Sequence, residues 1–186
     1  MNKVSIFPIM NLPEFDTGHE IVEELIKSLE ENKISLEDTD VIVITQKIIS
    51  KVEGRKIDIN KEDIEEVIKS ESLQIIRKRG ETVIAKTKHG FICANAGIDK
   101  SNIEEGSALL LPEDPDKTSR VIRKKIEHKT GKKISVIICD TFGRAWRKGQ
   151  TNVAIGSSGI EPLESYICLL YTSAAADEED SVDLGG

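Results

Sequence analysis

Two aspartates, Asp99 and Asp140, each follow a run of small or apolar residues: Cys93-Ala94-Asn95-Ala96-Gly97-Ile98 before the first and Ile137-Ile138-Cys139 before the second. A carboxylate at the mouth of a strand offers hard oxygen to a divalent cation such as magnesium or manganese. Thr141 sets a hydroxyl beside Asp140, and Asn102 brings a donor and an acceptor shortly after Asp99. A cation held there would bridge the phosphates of a nucleotide. Arg144, Arg147 or Lys148 could then neutralise charge on a transferred group, with Trp146 packed among them. Each acid also has a plainer reading, Asp99 as the acceptor of an Asx turn and Asp140 as a strand-end acid paired with a basic loop. The same arrangement after two separate strands tilts the reading toward metal.

Two further segments lie where binding groups are often placed. Thr45-Gln46-Lys47-Ile48-Ile49-Ser50-Lys51 follows an apolar run, and Lys51 can meet a phosphate as a point charge. It is not a Walker A loop, because G-x-x-x-x-G-K-[ST] is absent. Leu12-Pro13-Glu14-Phe15 reads as a strand-to-helix loop. His19, His89 and His128 fall at a helix start, a turn and a polar helix face, so no Ser/His/Asp arrangement can be defended. Cys93 and Cys139 lie in apolar strands, where burial makes a thiol inert. Covalent catalysis by a protein nucleophile is not supported.

The elements that must carry these residues are legible as alternating patterns. Val4–Ile9 reads as a short strand ended by Pro13. Ile21, Val22, Leu25, Ile26 and Leu29 recur at helical spacing, predicting a helix over about 19–32. Val41–Ile44 is a β-branched run apolar on both sides, the pattern of a buried strand, and Gly54 closes the segment after it. A short charged helix is predicted over 61–69, and strands over 82–86 and 90–94 joined at His89-Gly90. Asp114-Pro115 has the form of a helix start, Val121, Ile122 and Ile126 supply its buried stripe, and Gly131 ends it. Ile134–Cys139 is a second apolar strand, followed by a glycine-bearing loop, the run Val153-Ala154-Ile155, and a turn at Gly156-Ser157-Ser158-Gly159. The mixture predicts an α/β or α+β protein of undetermined strand order.

The 186 residues suffice for one domain, or two small ones, with a real core. No apolar run approaches the roughly 20 residues that span a bilayer. The N-terminus lacks a signal-peptide pattern, so the expectation is a cytoplasmic protein with no membrane partner. Three cysteines are too scattered for a disulfide framework or a zinc site. The net charge of −7 is concentrated in residues 168–186, which hold five acids and no base; the rest carries −2. No nucleic-acid partner is expected from that balance. Cys168–Ser173 can be encoded by the mosaic end of a transposase used to prepare sequencing libraries. Adapter translation continues through Ala174–Glu178 with one departure at Ala174, and resumes at Val182–Gly186 after an index-sized gap. The expected organisation is therefore a catalytic region over 1–167 and a foreign tail over 168–186, a native acidic tail being the alternative.

Five blocks carry a resemblance: Phe7–Pro13, Thr45–Arg55, His89–Gly106, Leu109–Asp116 and Asp140–Ile160. Together they resemble the coenzyme F-420-0:L-glutamate ligase family, in order over nearly all of 1–167. The resemblance implies an α+β fold of mixed sheets and packed helices, neither Rossmann nor P-loop, assembled as an intertwined homodimer. It implies that GTP phosphorylates the terminal carboxylate of coenzyme F-420-0. The amine of L-glutamate then attacks the acyl phosphate, and a second round adds glutamate through a γ-linkage. By position, Leu12, Pro13, Glu14, Phe15, Thr45, Gln46, Lys51 and Asn102 would contact GTP. Asp99, Asp140 and Thr141 would hold magnesium or manganese, with Asp99 and Asp140 as the catalytic pair. A further acidic ligand of the family would lie downstream of the point where this chain stops. Two rival readings are a related ligase acting on another carboxylate acceptor, and a nucleotide-binding module without catalysis.

Overall fold

The computed structural model describes residues 4–101, 103–143 and 148–163. Helix α1 (Ile21–Glu31) turns Val22, Leu25 and Leu29 inward, as its apolar spacing requires. Strand β1 (Val41–Thr45) runs directly into helix α2 (Gln46–Val52), which closes at Gly54 in a left-handed conformation. Strand β2 (Lys56–Asp58) and helix α3 (Ile64–Ser70) follow, the helix capped by Asp63 accepting from the Glu65 amide. Strands β3 (Ser72–Arg79), β4 (Thr82–Thr87) and β5 (Ile92–Ala94) form an antiparallel sheet, with the turn at His89-Gly90 where the sequence placed it. Strand β6 (Ser107–Leu109) pairs antiparallel with β2. Helix α4 (Pro115–Thr130) is capped by Asp114, begins on proline and stops at Gly131 with φ 71°, all three signals behaving as expected. Strands β7 (Ser135–Gly143) and β8 (Gln150–Ser158) complete a sheet of order β1-β7-β8, β1 parallel and β8 antiparallel to β7. The architecture is α+β with mixed sheets.

The main core joins Val22, Leu25 and Leu29 of α1, Ile42 and Ile44 of β1, Ile49 of α2, Ile122 and Ile126 of α4, and Val136, Ile138 and Phe142 of β7. A smaller cluster of Ile68, Val83, Ala85 and Ala96 sits under α3 and β4. Burying each such side chain contributes roughly 1.5–3 kcal/mol, so the main cluster dominates the stability of the sheet that carries β1 and β7.

Several expectations are corrected. Residues 4–9 form no strand: Val4, Ile6 and Phe7 are exposed, and no described strand pairs with them. Strand β1 is buried on one face only, because α1 and α4 cover that side while Val41 and Val43 stay exposed. Val121 lies outside the buried stripe of α4, one residue off the face that carries Ile122 and Ile126. Thr45 is the last residue of β1 and Gln46–Lys51 make up most of α2. Strand β7 continues through Asp140 to Gly143, so Asp140 lies inside a strand rather than at its mouth. Gly156–Ser158 is strand, not turn: at Gly156 a Cβ would overlap the Pro115 carbonyl, so the glycine is there to let β8 lie against α4. The segments holding Asn102, Arg144, Trp146, Arg147 and residues 168–186 lie outside the described residues.

Candidate functional site

In the parallel pair of β1 and β7, Thr45 stands opposite Cys139, so both strands run toward the same edge. There β1 gives way to α2 while β7 continues, leaving Asp140 with a strand neighbour, β8, on one flank only. Side chains alternate along β7, so Asp140 shares the face of Val136, Ile138 and Phe142 beneath which the core lies. Thr141 consequently points the other way, and its exposed hydroxyl donates to Asn152 Oδ1 at 2.7 Å.

Asp99 reaches the same place by a different route. After β5 a short 3-10 turn (Asn95–Gly97) redirects the chain, and Asp99 exchanges two backbone hydrogen bonds with Leu109 at the end of β6. Its Oδ1 accepts from the Ser101 amide at 2.7 Å and from Ser101 Oγ at 2.6 Å. This is the Asx turn that the plainer reading described. Its second oxygen, Oδ2, pairs with Lys47 Nζ at 3.0 Å. Lys47 Nζ also donates to the Ser101 carbonyl at 3.1 Å and to Ser101 Oγ at 2.8 Å.

The two acids are tuned in opposite directions. Burial pushes Asp140 above the usual carboxylate range; a hydrogen bond from the Thr141 amide pulls it down, and the neighbouring Asp99 charge pushes it up again. Lys47 and Gln46 lower it by smaller amounts. Burial also pushes Asp99 upward, but the two Ser101 hydrogen bonds and the Lys47 ammonium outweigh it and hold the carboxyl below its ordinary value. Burial and the Asp140 charge push Cys93 up to about 11, and raise Cys139 for the same reasons, so neither thiol is an activated nucleophile. Gln46 is fully buried at the start of α2; its Oε1 accepts from Ser50 Oγ at 2.8 Å. Its Nε2 approaches Asp140 closely enough to favour the ionised carboxylate, yet makes no hydrogen bond of ordinary geometry.

Helix α2 links this pair to the Leu12–Phe15 loop. Lys47 and Lys51 are one turn apart on one helix face, the first paired with Asp99 and the second with Glu14. Phe15 is buried, Leu12 half-buried, and Pro13 and Glu14 exposed. Thr17 Oγ1 donates to the Lys51 carbonyl at 3.3 Å and the Gly18 amide to the Val52 carbonyl at 3.1 Å, tying the loop to the end of α2. Thr45 is exposed at the junction of β1 and α2.

The structure thus gathers Asp99, Asp140 and Gln46, with Glu14 and Lys51 one helical turn along. It sets the Thr141 hydroxyl on the opposite face, while His19 accepts from the Asp16 amide and His89 Nε2 bonds the Glu113 carbonyl. The sequence reading did not single out Lys47 or Ser101. The i, i+4 repeat of Lys47 and Lys51 is the signal for the first, and the residue two after an Asx-turn aspartate the signal for the second.

Among the described residues no three His, Cys, Asp or Glu side chains converge as a metal cage. Magnesium is commonly held by one or two carboxylates together with substrate phosphates, and Asp99 and Asp140 supply that donor set in hard oxygen. Burial raises Asp140 first and the nearby Asp99 charge raises it further, a situation that a divalent charge close to both carboxylates would relieve. The residues fit.

The family model described as F420-0:Gamma-glutamyl ligase matches residues 9–183. A protein of Methanothermobacter thermautotrophicus named Coenzyme F420:L-glutamate ligase is 36% identical over 177 residues, covering 86% of this chain and 70% of its own. Proteins of the same name from Methanocaldococcus jannaschii and Archaeoglobus fulgidus are 42% identical over 172 residues and 38% over 181. Those matches take in 83% and 89% of this chain, and 67% and 71% of the relatives. On a match of that extent, the chain belongs to the F420-0:gamma-glutamyl ligase family.

Proposed function

We propose that this protein is a GTP-dependent ligase that joins L-glutamate by γ-linkage to coenzyme F-420-0 through an acyl phosphate. Family membership supports the ligation, and the meeting of Asp99 and Asp140 at one edge of the β1–β7 pair is the observation that carries the mechanism. The γ-phosphoryl group of GTP passes to the acceptor's terminal carboxylate and GDP leaves. The amine of glutamate attacks the acyl carbon, loses a proton, and phosphate departs. No protein nucleophile enters either step, in keeping with two thiols that burial holds protonated. Asp99 and Asp140 would hold magnesium or manganese, which would supply positive charge to screen the triphosphate and the group in transfer. Ser101 fixes the orientation of Asp99, and Gln46 and the Thr141 amide steady Asp140. Leu12, Pro13, Glu14, Phe15, Thr45, Gln46, Lys51 and Asn102 take the nucleotide, with Lys51 leaving Glu14 for a phosphate.

A family-type homodimer belongs to the same proposal. Val41 and Val43 on the uncovered face of β1, and Leu73, Ile75 and Ile76 on β3, expose apolar surface that a second copy would cover.

The test is GDP release and glutamylation with GTP or ATP, coenzyme F-420-0 and L-glutamate. Turnover should require magnesium or manganese and fall sharply with ATP. Equal rates with ATP, or full activity in a chelator, would refute the reading. Glutamylation of a different carboxylate in preference to coenzyme F-420-0 would transfer the mechanism to another acceptor.

A further inference from the structure

The Lys47 ammonium sits in a cage made wholly of oxygen: Asp99 Oδ2 at 3.0 Å, the Ser101 carbonyl at 3.1 Å and Ser101 Oγ at 2.8 Å. Three donors meet three acceptors, so the ammonium is fully satisfied. Asp140 adds Coulombic attraction without pairing directly. Asp99 does not depend on Lys47 for its position, because Ser101 holds Oδ1 through two bonds and the backbone is pinned to Leu109 on both its amide and its carbonyl. The oxygen that Lys47 covers is therefore a preformed ligand atom whose occupant can change without the carboxylate moving. Lys47 rides on α2 by a long flexible stem and is about one-quarter exposed, so it has room to swing outward.

We propose that Lys47 is a built-in counter-cation that covers the Asp99 Oδ2 ligand position near Asp140 and must be displaced when the metal binds. The inference rests on reading those aspartates as the metal ligands. It assigns Lys47 a positioning role: it neutralises the acid pair in the metal-free protein, and it lowers metal affinity by competing for Asp99 Oδ2.

Manganese titrations of the full chain without nucleotide, read by calorimetry or by the paramagnetic resonance of free manganese, test it. Lys47→Met should bind manganese roughly threefold to tenfold more tightly than the wild type, the range a half-buried ion pair supports. In chelator it should melt lower than the wild type, and manganese should raise its melting temperature by more. Lys51→Met removes the same charge one turn away from a pair with Glu14 and should leave manganese affinity within about twofold. If Lys47→Met does not fold, Lys47→Gln is titrated instead. Affinity unchanged or weakened on loss of Lys47, or tightened equally by Lys51→Met, would overturn the displacement role. Manganese binding indifferent to Asp140→Asn and Asp99→Asn, or absent from wild type and Lys47 variants alike, would instead remove the metal reading beneath it.

Discussion

Burial makes Asp140 costly to ionise, and that cost makes its behaviour measurable. An acid with a raised folded pKa adds no penalty below its unfolded value of 3.8; the penalty grows as pH rises through the folded pKa. Asp99 runs the other way, contributing stability above 3.8 that is lost as pH falls through its lowered folded value. In chelator at pH 7, Asp140→Asn should therefore melt above the wild type, and the gap should close as pH falls toward 3.8. With saturating manganese the order should reverse. A mutant that melts lower in chelator across the whole range would contradict the assignment. In single-turnover ligation Asp140→Asn should lose at least about a hundredfold, as for removal of a principal electrostatic stabiliser. Asp99→Asn should behave alike, and the double mutant should lose less than the product of the two because both act through one ion. Strictly multiplicative losses across a manganese titration would reject a shared site. At this scale part was legible: the place of Asp99 past β5 needs only local sequence, whereas Asp140, expected at a strand mouth, lies inside β7. Lys47 and the outward turn of Thr141 were not, since both depend on which face an element presents.

Elements were read best where their signals are covalently local. Asp114, Pro115 and Gly131 bound α4 because a cap, a fixed φ and a left-handed residue act within one turn. The faces of β1 were misread because four β-branched residues look the same whether a second layer covers them or not. Gly156 was misread for a similar reason: its need for no side chain comes from α4, which no turn rule contains. Gly156→Ala should destabilise by about 1–3 kcal/mol, typical of overpacking against backbone that cannot yield. Gly143→Ala, with open space around its Cα and no left-handed φ, is the matched control and should be near neutral. Chemical denaturation of both variants checks this; equal stabilities would mean that β8 can shift off Pro115 freely.

Across the whole molecule, topology was the least legible level. Nothing in the strings Val41–Ile44 and Ile134–Cys139 says that they pair parallel, yet that pairing brings α2 to Asp140. No helix among the described residues is long and apolar enough to cross a membrane. The pairing of residue 45 with residue 139 also fixes when the site can exist during folding. The loop it closes is long, and closing it costs entropy before any contact across it repays the chain. A half-folded chain holding α1, α4 and the β3–β4–β5 hairpins would have both aspartates and no site. Manganese should thus find little to bind until the last barrier is crossed. At ten times its dissociation constant it should slow unfolding roughly tenfold and leave the refolding rate unchanged. Stopped-flow measurements on both limbs would show it, and accelerated refolding would mean that the acid pair assembles early, ahead of the parallel strands.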